Sequence, residues 1–205
     1  MRPIHLTLGA LFICLMAIGG NITVWFPFLA IPIGGTSVPL SLQTFFAILA
    51  GFILGKRIST LSMFIYTFLG FIGIPIFAGL KGGPMTLLLP TGGFIISFII
   101  VAFVVGYLKE KVMSHKGHTY MYIAFIGLII NYIFGVSYMY FSIKFIIDIQ
   151  ITYFAAWISM LPFLIKDVFL TILAVIFVRK FAKTLSHNKL IHTTIPCIQN
   201  RFMIR

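Results

Sequence analysis

Six apolar runs, near residues 4–20, 39–55, 58–75, 91–108, 119–140 and 154–178, occupy most of the chain and leave only short joints between them. Each is about the length of helix that crosses a hydrocarbon core, because roughly 30 Å of bilayer takes roughly 20 residues. In lipid the backbone must satisfy its own polar groups, which a helix does within one segment. The expected fold is therefore an all-α membrane protein of six transmembrane helices, forming one domain over residues 1–185 with a basic cytoplasmic tail at 186–205. The second run is short, so it either thins the bilayer locally or continues into an ordered outer loop.

Composition excludes the main alternatives. With 60% hydrophobic and 9% charged residues among 205, the chain has too little polar surface for a water-soluble domain. The net charge of +12 does not indicate nucleic acid, because the basic residues are dealt out in small groups rather than gathered on one face. Arg2 precedes the first run, Lys56 and Arg57 separate the second and third, and Lys109, Lys111 and Lys116 separate the fourth and fifth. Arg179, Lys180, Lys183, Lys189, Arg201 and Arg205 follow the sixth, whereas the alternate joints carry only Lys81 and Lys144, with Lys166 near the head of the last run. By the positive-inside rule both termini are expected in the cytoplasm of a multi-pass plasma-membrane protein. That tally needs the first run, so the faint signal-peptidase resemblance at Ala17-Ile18-Gly19 is read as uncleaved.

The outer connections, around residues 21–39, 76–93 and 142–150, are long and rich in Gly, Pro and Thr, a texture associated with binding. No fixed-period repeat or two-half symmetry is present. Cys14 and Cys197 are far apart and lack ligand spacing, so neither a disulfide nor a metal site is expected. GFILGKRIS, residues 51–59, imitates a phosphate-binding loop but has the wrong glycine spacing, and it reads as a basic turn. If ATP drives any activity, another subunit hydrolyses it. Signatures of hydrolases are absent, and His115 with His118, and His187 with His192, read as solvated pairs. No enzyme is expected.

Three stretches carry candidate binding residues. In PLSLQTFF, Pro39 suits a first helical turn, and Ser41, Gln43 and Thr44 either cap backbone or place Gln43 in a pocket under the first outer loop. In PTGGF, Thr91 reads as a cap and Gly92 and Gly93 as free N–H groups, serving the helix alone or receiving a carboxylate or carbonyl. Asp167, one of only three acidic residues with Glu110 and Asp148, lies in LPFLIKDVFLTIL. Twelve residues, about 18 Å of helix, separate it from Arg179, which puts it roughly 10 Å below the outer edge of the hydrocarbon. A carboxylate at the centre of a span costs roughly 3 kcal/mol, so it needs a partner or a wet cavity. The alternative is an anion in the early turns of a helix begun at Pro162, with Lys166 reaching outward.

SVPLSLQTFFAILAGFILGKR at 37–57 and YTFLGFIGIPIFAGLKGGPMTLLLPTGGFIISF at 66–98 resemble the BioY family, the biotin-binding S components of energy-coupling factor (ECF) transporters. The resemblance covers about residues 8–182. It implies six helices, a vitamin pocket under the outer loops, and docking to an EcfT-type coupling subunit that carries two ATPases. There is then no bound cofactor; biotin is cargo, and ATP belongs to the partners. Asp167 would accept from the ureido N–H groups, with Lys81 or Lys144 attracting the carboxylate tail. Two positions depart from the family pattern of Gly-Asp with a Lys three residues on: Lys166 replaces the Gly, and Leu170 stands where the Lys is expected. Adjacent residues point about 100° apart, so Lys166 does not inherit that direction. On the first helix Ala17 keeps one of the family's two small docking residues while Ile13 replaces the other; Ala10 and Cys14 form a displaced small pair. Outside this resemblance, the residues also fit a stand-alone secondary transporter with Asp167 as an ion site, or an assembly factor that binds no small ligand.

Overall fold

The computed structural model describes residues 3–26, 30–33, 36–39, 41–112 and 117–187. In chain order it contains α1 (Pro3–Gly20), α2 (Ile22–Trp25), β1 (Ala30–Ile33), β2 (Thr36–Pro39), α3 (Gln43–Phe71), α4 (Pro84–Leu88), α5 (Gly92–Lys111), α6 (Gly117–Phe145) and α7 (Tyr153–His187). Among the described residues, five helices are long and apolar enough to cross a membrane: α1, α3, α5, α6 and the Tyr153–Phe181 part of α7. The strands form an antiparallel pair, Ala30 opposite Pro39 and Ile33 opposite Thr36, which adds a small sheet to the expected all-helical fold. That pairing also moves a helix start. Pro39 ends β2 rather than opening a helix, and α3 begins four residues later at Gln43. The tail expected over 186–205 lies outside the described residues beyond His187, as do His115, His192 and Cys197.

Most of the second and third apolar runs falls within α3, which is not one rod. Gly55 has φ 73° and ψ 170°, a combination that only glycine adopts without strain. A straight helix would hold Gln43 and Tyr66 about 34 Å apart, yet the Gln43 amide donates to the Tyr66 hydroxyl. The chain therefore doubles back at Gly55 into antiparallel arms, 43–54 and 56–71. The reversal is held by α5: Glu110 Oε1 accepts from the Lys56 N–H at 2.9 Å, and Lys56 Nζ lies 3.4 Å from Glu110 Oε2. Ser59 Oγ, 2.7 Å from the Gly55 carbonyl and 3.1 Å from that of Ala102, adds a further tie. Gly106 permits the approach, since a Cβ there would meet the Lys56 backbone.

The core is built where small residues bring helices close. Gly51 faces Val105 and the Ala102 carbonyl, and Val101, Ala102 and Val105 of α5 are fully buried. Gly9 of α1 packs on Ser62, and Gly19 and Gly20 pack on Phe46 and Gln43 at the other end of α1. Phe64, Phe68, Phe169 and Phe177 point outward, where lipid is the natural solvent for them.

These contacts sort the molecule into two ends. The Leu42 N–H bonds the Gly19 carbonyl, and Tyr138 and Ser142 of α6 donate to the carbonyls of Leu87 and Leu88 ahead of α5. The end of α1 and the starts of α3 and α5 therefore lie together with the last turns of α6. Gly55, the last turn of α5, Gly117 and Arg179 mark the opposite end, where the Arg179 guanidinium packs on Gly117.

Candidate functional site

At the end where α3, α5 and α7 begin, a cavity of about 130 Å³ opens between the helices. Its walls are apolar: Phe77, Phe94, Phe98, Met139, Met160 and Phe163. Its polar lining comes from Ser41, Gln43, Thr44, Thr86, Thr91, Tyr132, Lys166 and Asp167.

Asp167 is the charged centre, only 4% exposed, and its two oxygens have different surroundings. Oδ2 accepts from the Tyr132 hydroxyl at 2.9 Å and from Thr44 Oγ1 at 3.2 Å. Oδ1 lies 2.8 Å from Lys166 Nζ but accepts no hydrogen bond of acceptable direction. The ammonium thus balances the charge while leaving the lone pairs of Oδ1 available. Lys166 Nζ donates instead to the Ser41 carbonyl, which ties α7 to the chain entering α3. The reading of Lys166 as an outward-reaching side chain does not describe this arrangement, and positions 166 and 170, four residues apart, share a helix face. A four-carbon stem has enough reach to bend back over the neighbouring carboxylate, and burial of that carboxylate rewards it for doing so.

Gln43 lines the cavity, 4% exposed, but its amide is already engaged. Nε2 bonds Tyr66 and Oε1 accepts from Ser41 Oγ at 3.1 Å. Tyr66 passes the link to the Ile76 carbonyl at 3.1 Å, and Asn21, 3% exposed, accepts the Leu80 N–H through Oδ1 at 2.6 Å. These bonds hold the segment that carries Phe77, which is fully buried, against the cavity.

Thr91 also lines the cavity, and its side chain makes no capping bond, contrary to the expected cap. Gly92 and Gly93 stand behind it as packing residues. The Gly92 N–H is spent on the Leu89 carbonyl at 2.8 Å, and a Cβ at Gly92 or Gly93 would strike Leu87 or Tyr138. Lys81 is exposed and outside the lining, in a bridge with Phe77. Lys144 is held by Tyr140, 3.0 Å from its hydroxyl. On α1, Ala10 and Cys14 are exposed on one face, whereas Ala17 packs against the core.

Sequence reasoning passed over Tyr132, Asn131 and Ser97. Their signal is faint: Asn131-Tyr132 breaks the run GLIINYIFG, and Ser97 breaks GGFIISFII. Asn131 and Ser97 are fully buried, joined by a 2.6 Å bond from Ser97 Oγ to Asn131 Oδ1, with Asn131 Nδ2 3.4 Å from Thr44 Oγ1.

The family model described as "BioY family" matches residues 1–187. A "Probable biotin transporter BioY" of Pyrococcus horikoshii is 36% identical over 180 residues, covering 86% of this chain and 94% of its own. The "Biotin transporter BioY" of Thermotoga maritima is 41% identical over 115 residues, 56% of this chain and 66% of its own. Among solved structures, the S-component for biotin from an ECF-type ABC transporter superposes with a TM-score of 0.66 at 31% identity, covering 87% of this chain and 90% of that one. A match spanning nearly the whole chain, on a helical membrane fold with a charged cavity at its loop-bearing end, places this protein in the BioY family.

Proposed function

We propose that this chain is the biotin-capturing S component of an ATP-driven vitamin importer. The observation that carries the reading is the buried Asp167 Oδ1, without a directed hydrogen bond, beside the Lys166 ammonium in a largely apolar cavity. A ureido ring presents an N–H next to a carbonyl. Oδ1 would accept the N–H and Lys166 Nζ would turn from the Ser41 carbonyl to the ligand's own, so that Lys166 supplies the cation missing at Leu170. Charge-assisted bonds of this kind are roughly twice as strong as neutral ones. Phe94, Phe98 and Phe163 offer apolar area to the fused rings, and the uncommitted Thr91 hydroxyl is placed to meet the polar tail. Gln43 spends one of its two amide protons on Tyr66 and acts through that link, and Lys81 acts by long-range attraction.

Six membrane crossings follow if each arm of α3 counts as one. Lys56, Arg57, Lys109, Lys111, Arg179 and Lys180 cluster at the end away from the cavity, which supports a cavity facing outward and both termini in the cytoplasm. The exposed Ala10 and Cys14 face of α1 is the candidate contact for an EcfT-type coupling subunit bearing two ATPases. The fold is that of a transport subunit rather than an enzyme, and ATP would be consumed only by those partners.

The test is mass spectrometry of detergent-purified protein, denatured after expression in biotin-replete medium. Near-stoichiometric biotin should be released, and Asp167→Ala should weaken biotin binding at least about tenfold while still inserting. Wild-type protein that neither carries biotin nor binds it on addition would overturn the reading.

A further inference from the structure

Asn131 does not line the cavity, yet its hydrogen bonds lead into it. Thr44 Oγ1 lies 3.2 Å from the Asp167 carboxylate, and a hydroxyl proton given to a carboxylate gains more than one given to an amide. Thr44 has a single proton, so once that proton is committed its lone pairs require a donor. Asn131 is the neighbour that supplies one, with Nδ2 at 3.4 Å. The orientation of that amide is set in turn by Ser97, whose hydroxyl donates to Asn131 Oδ1 at 2.6 Å. Ser97 Oγ also lies 2.7 Å from the Phe94 carbonyl, so its proton has a second acceptor and the reversed amide is the competing arrangement. In that reversed state Thr44 would donate to Asn131, and Asp167 would lose one of its two hydroxyl donors.

The geometry points to Asn131 as a positioning residue for ligand binding, acting only through Thr44. By offering Thr44 a donor, it directs the Thr44 proton onto Asp167 Oδ2 and leaves Oδ1 for the ligand's N–H. With Thr44 turned away, only Tyr132 holds Oδ2, and the carboxylate is free to rotate and divide both oxygens between Tyr132 and Lys166. Asn131 is fully buried, so its amide has no bulk solvent to turn toward. The two relay bonds, Thr44 to Asp167 at 3.2 Å and Asn131 to Thr44 at 3.4 Å, are long, so each contributes less than an average buried bond.

The inference rests on the biotin reading, and equilibrium binding of biotin to the purified full chain separates the two. Asn131→Leu and Thr44→Val should each weaken binding by about three- to tenfold. The Asn131→Leu/Thr44→Val double variant should bind no more weakly than Thr44→Val alone, because a residue acting through Thr44 has nothing left to act on. Thr44→Ser, which restores the hydroxyl, should recover most of the binding that Thr44→Val loses. Losses that multiply in the double variant, or an Asn131→Leu protein that binds unchanged or more tightly, would overturn the relay while leaving the biotin reading intact. Wild-type protein that fails to bind biotin would overturn both. Should Asn131→Leu not fold, Ser97→Ala removes the orienting donor instead: weakened binding with Thr44 present and no effect beside Thr44→Val supports the relay, and any other pattern overturns it.

Discussion

Lys166 sits next to Asp167 in sequence and bends back to within 2.8 Å of it, with its side chain 21% exposed. Removing one member of such a pair is costly because the other is left charged in a place where water cannot fully reach it, at roughly 3–5 kcal/mol when burial is complete and less here. Lys166→Met should therefore lower both thermal stability in detergent and biotin affinity, the latter by about tenfold or more. Adding Asp167→Asn should restore much of the stability, since no lone charge remains, but not the affinity. Recovery of both, measured by thermal unfolding and equilibrium binding, would show that the pair serves structure alone. The same scale shows what a sequence reveals and what it hides. Asp167 is legible because a carboxylate in an apolar run demands a reason. Lys166 is not, because helix phase fixes where a Cα–Cβ bond points but not where a long stem ends. Asn131 and Ser97 are hidden for another reason: one amide or hydroxyl in a span is cheap enough to be a local backbone contact.

At the level of elements, the break in α3 has the clearest sequence cause. Lys56 and Arg57 interrupt the apolar pattern, and Gly55 just before them supplies the backbone conformation that lets the chain turn on itself. Gly55→Ala would force a side chain into φ 73°, ψ 170°, at a cost of about 1–3 kcal/mol. The expected outcome is a lower unfolding midpoint in detergent, with the Gln43–Tyr66 contact weakened because the two arms no longer meet in register. A variant as stable as wild type would mean that the reversal does not depend on glycine. Other boundaries were less readable. Pro39 fits a helix start as well as a strand end, and only its pairing with Ala30, a contact nine residues away in sequence, decides for the strand. Gly92 and Gly93 offer the same ambiguity: free N–H groups and close packing call for the same residue, and Leu87 and Tyr138 settle it for packing.

Across the whole molecule, the clustered basic residues and the cavity lie at opposite ends. The cavity is bounded by the starts of α3, α5 and α7, while Lys56, Arg57, Lys109, Lys111, Arg179 and Lys180 surround the Gly55 turn and the far ends of α5 and α7. The clustering of basic residues was legible from sequence, because the positive-inside rule counts residues and needs no contacts, whereas the cavity's shape depends on five separate segments meeting. The two together predict a sidedness: a ligand entering from outside meets the cavity first, and the basic end stays with the cytoplasm. In a cysteine-free background made with Cys14→Ser and Cys197→Ser, Lys81→Cys should react with a membrane-impermeant maleimide on intact cells. Arg57→Cys should react only after permeabilisation. The reverse pattern would turn the cavity inward and remove capture from outside as a possibility, and equal labelling of both sites in intact cells would mean that the chain inserts in two orientations. The expected result requires Lys81 and Arg57 to lie on opposite faces of the bilayer, which is the condition for a vitamin bound at Asp167 to have a membrane still left to cross.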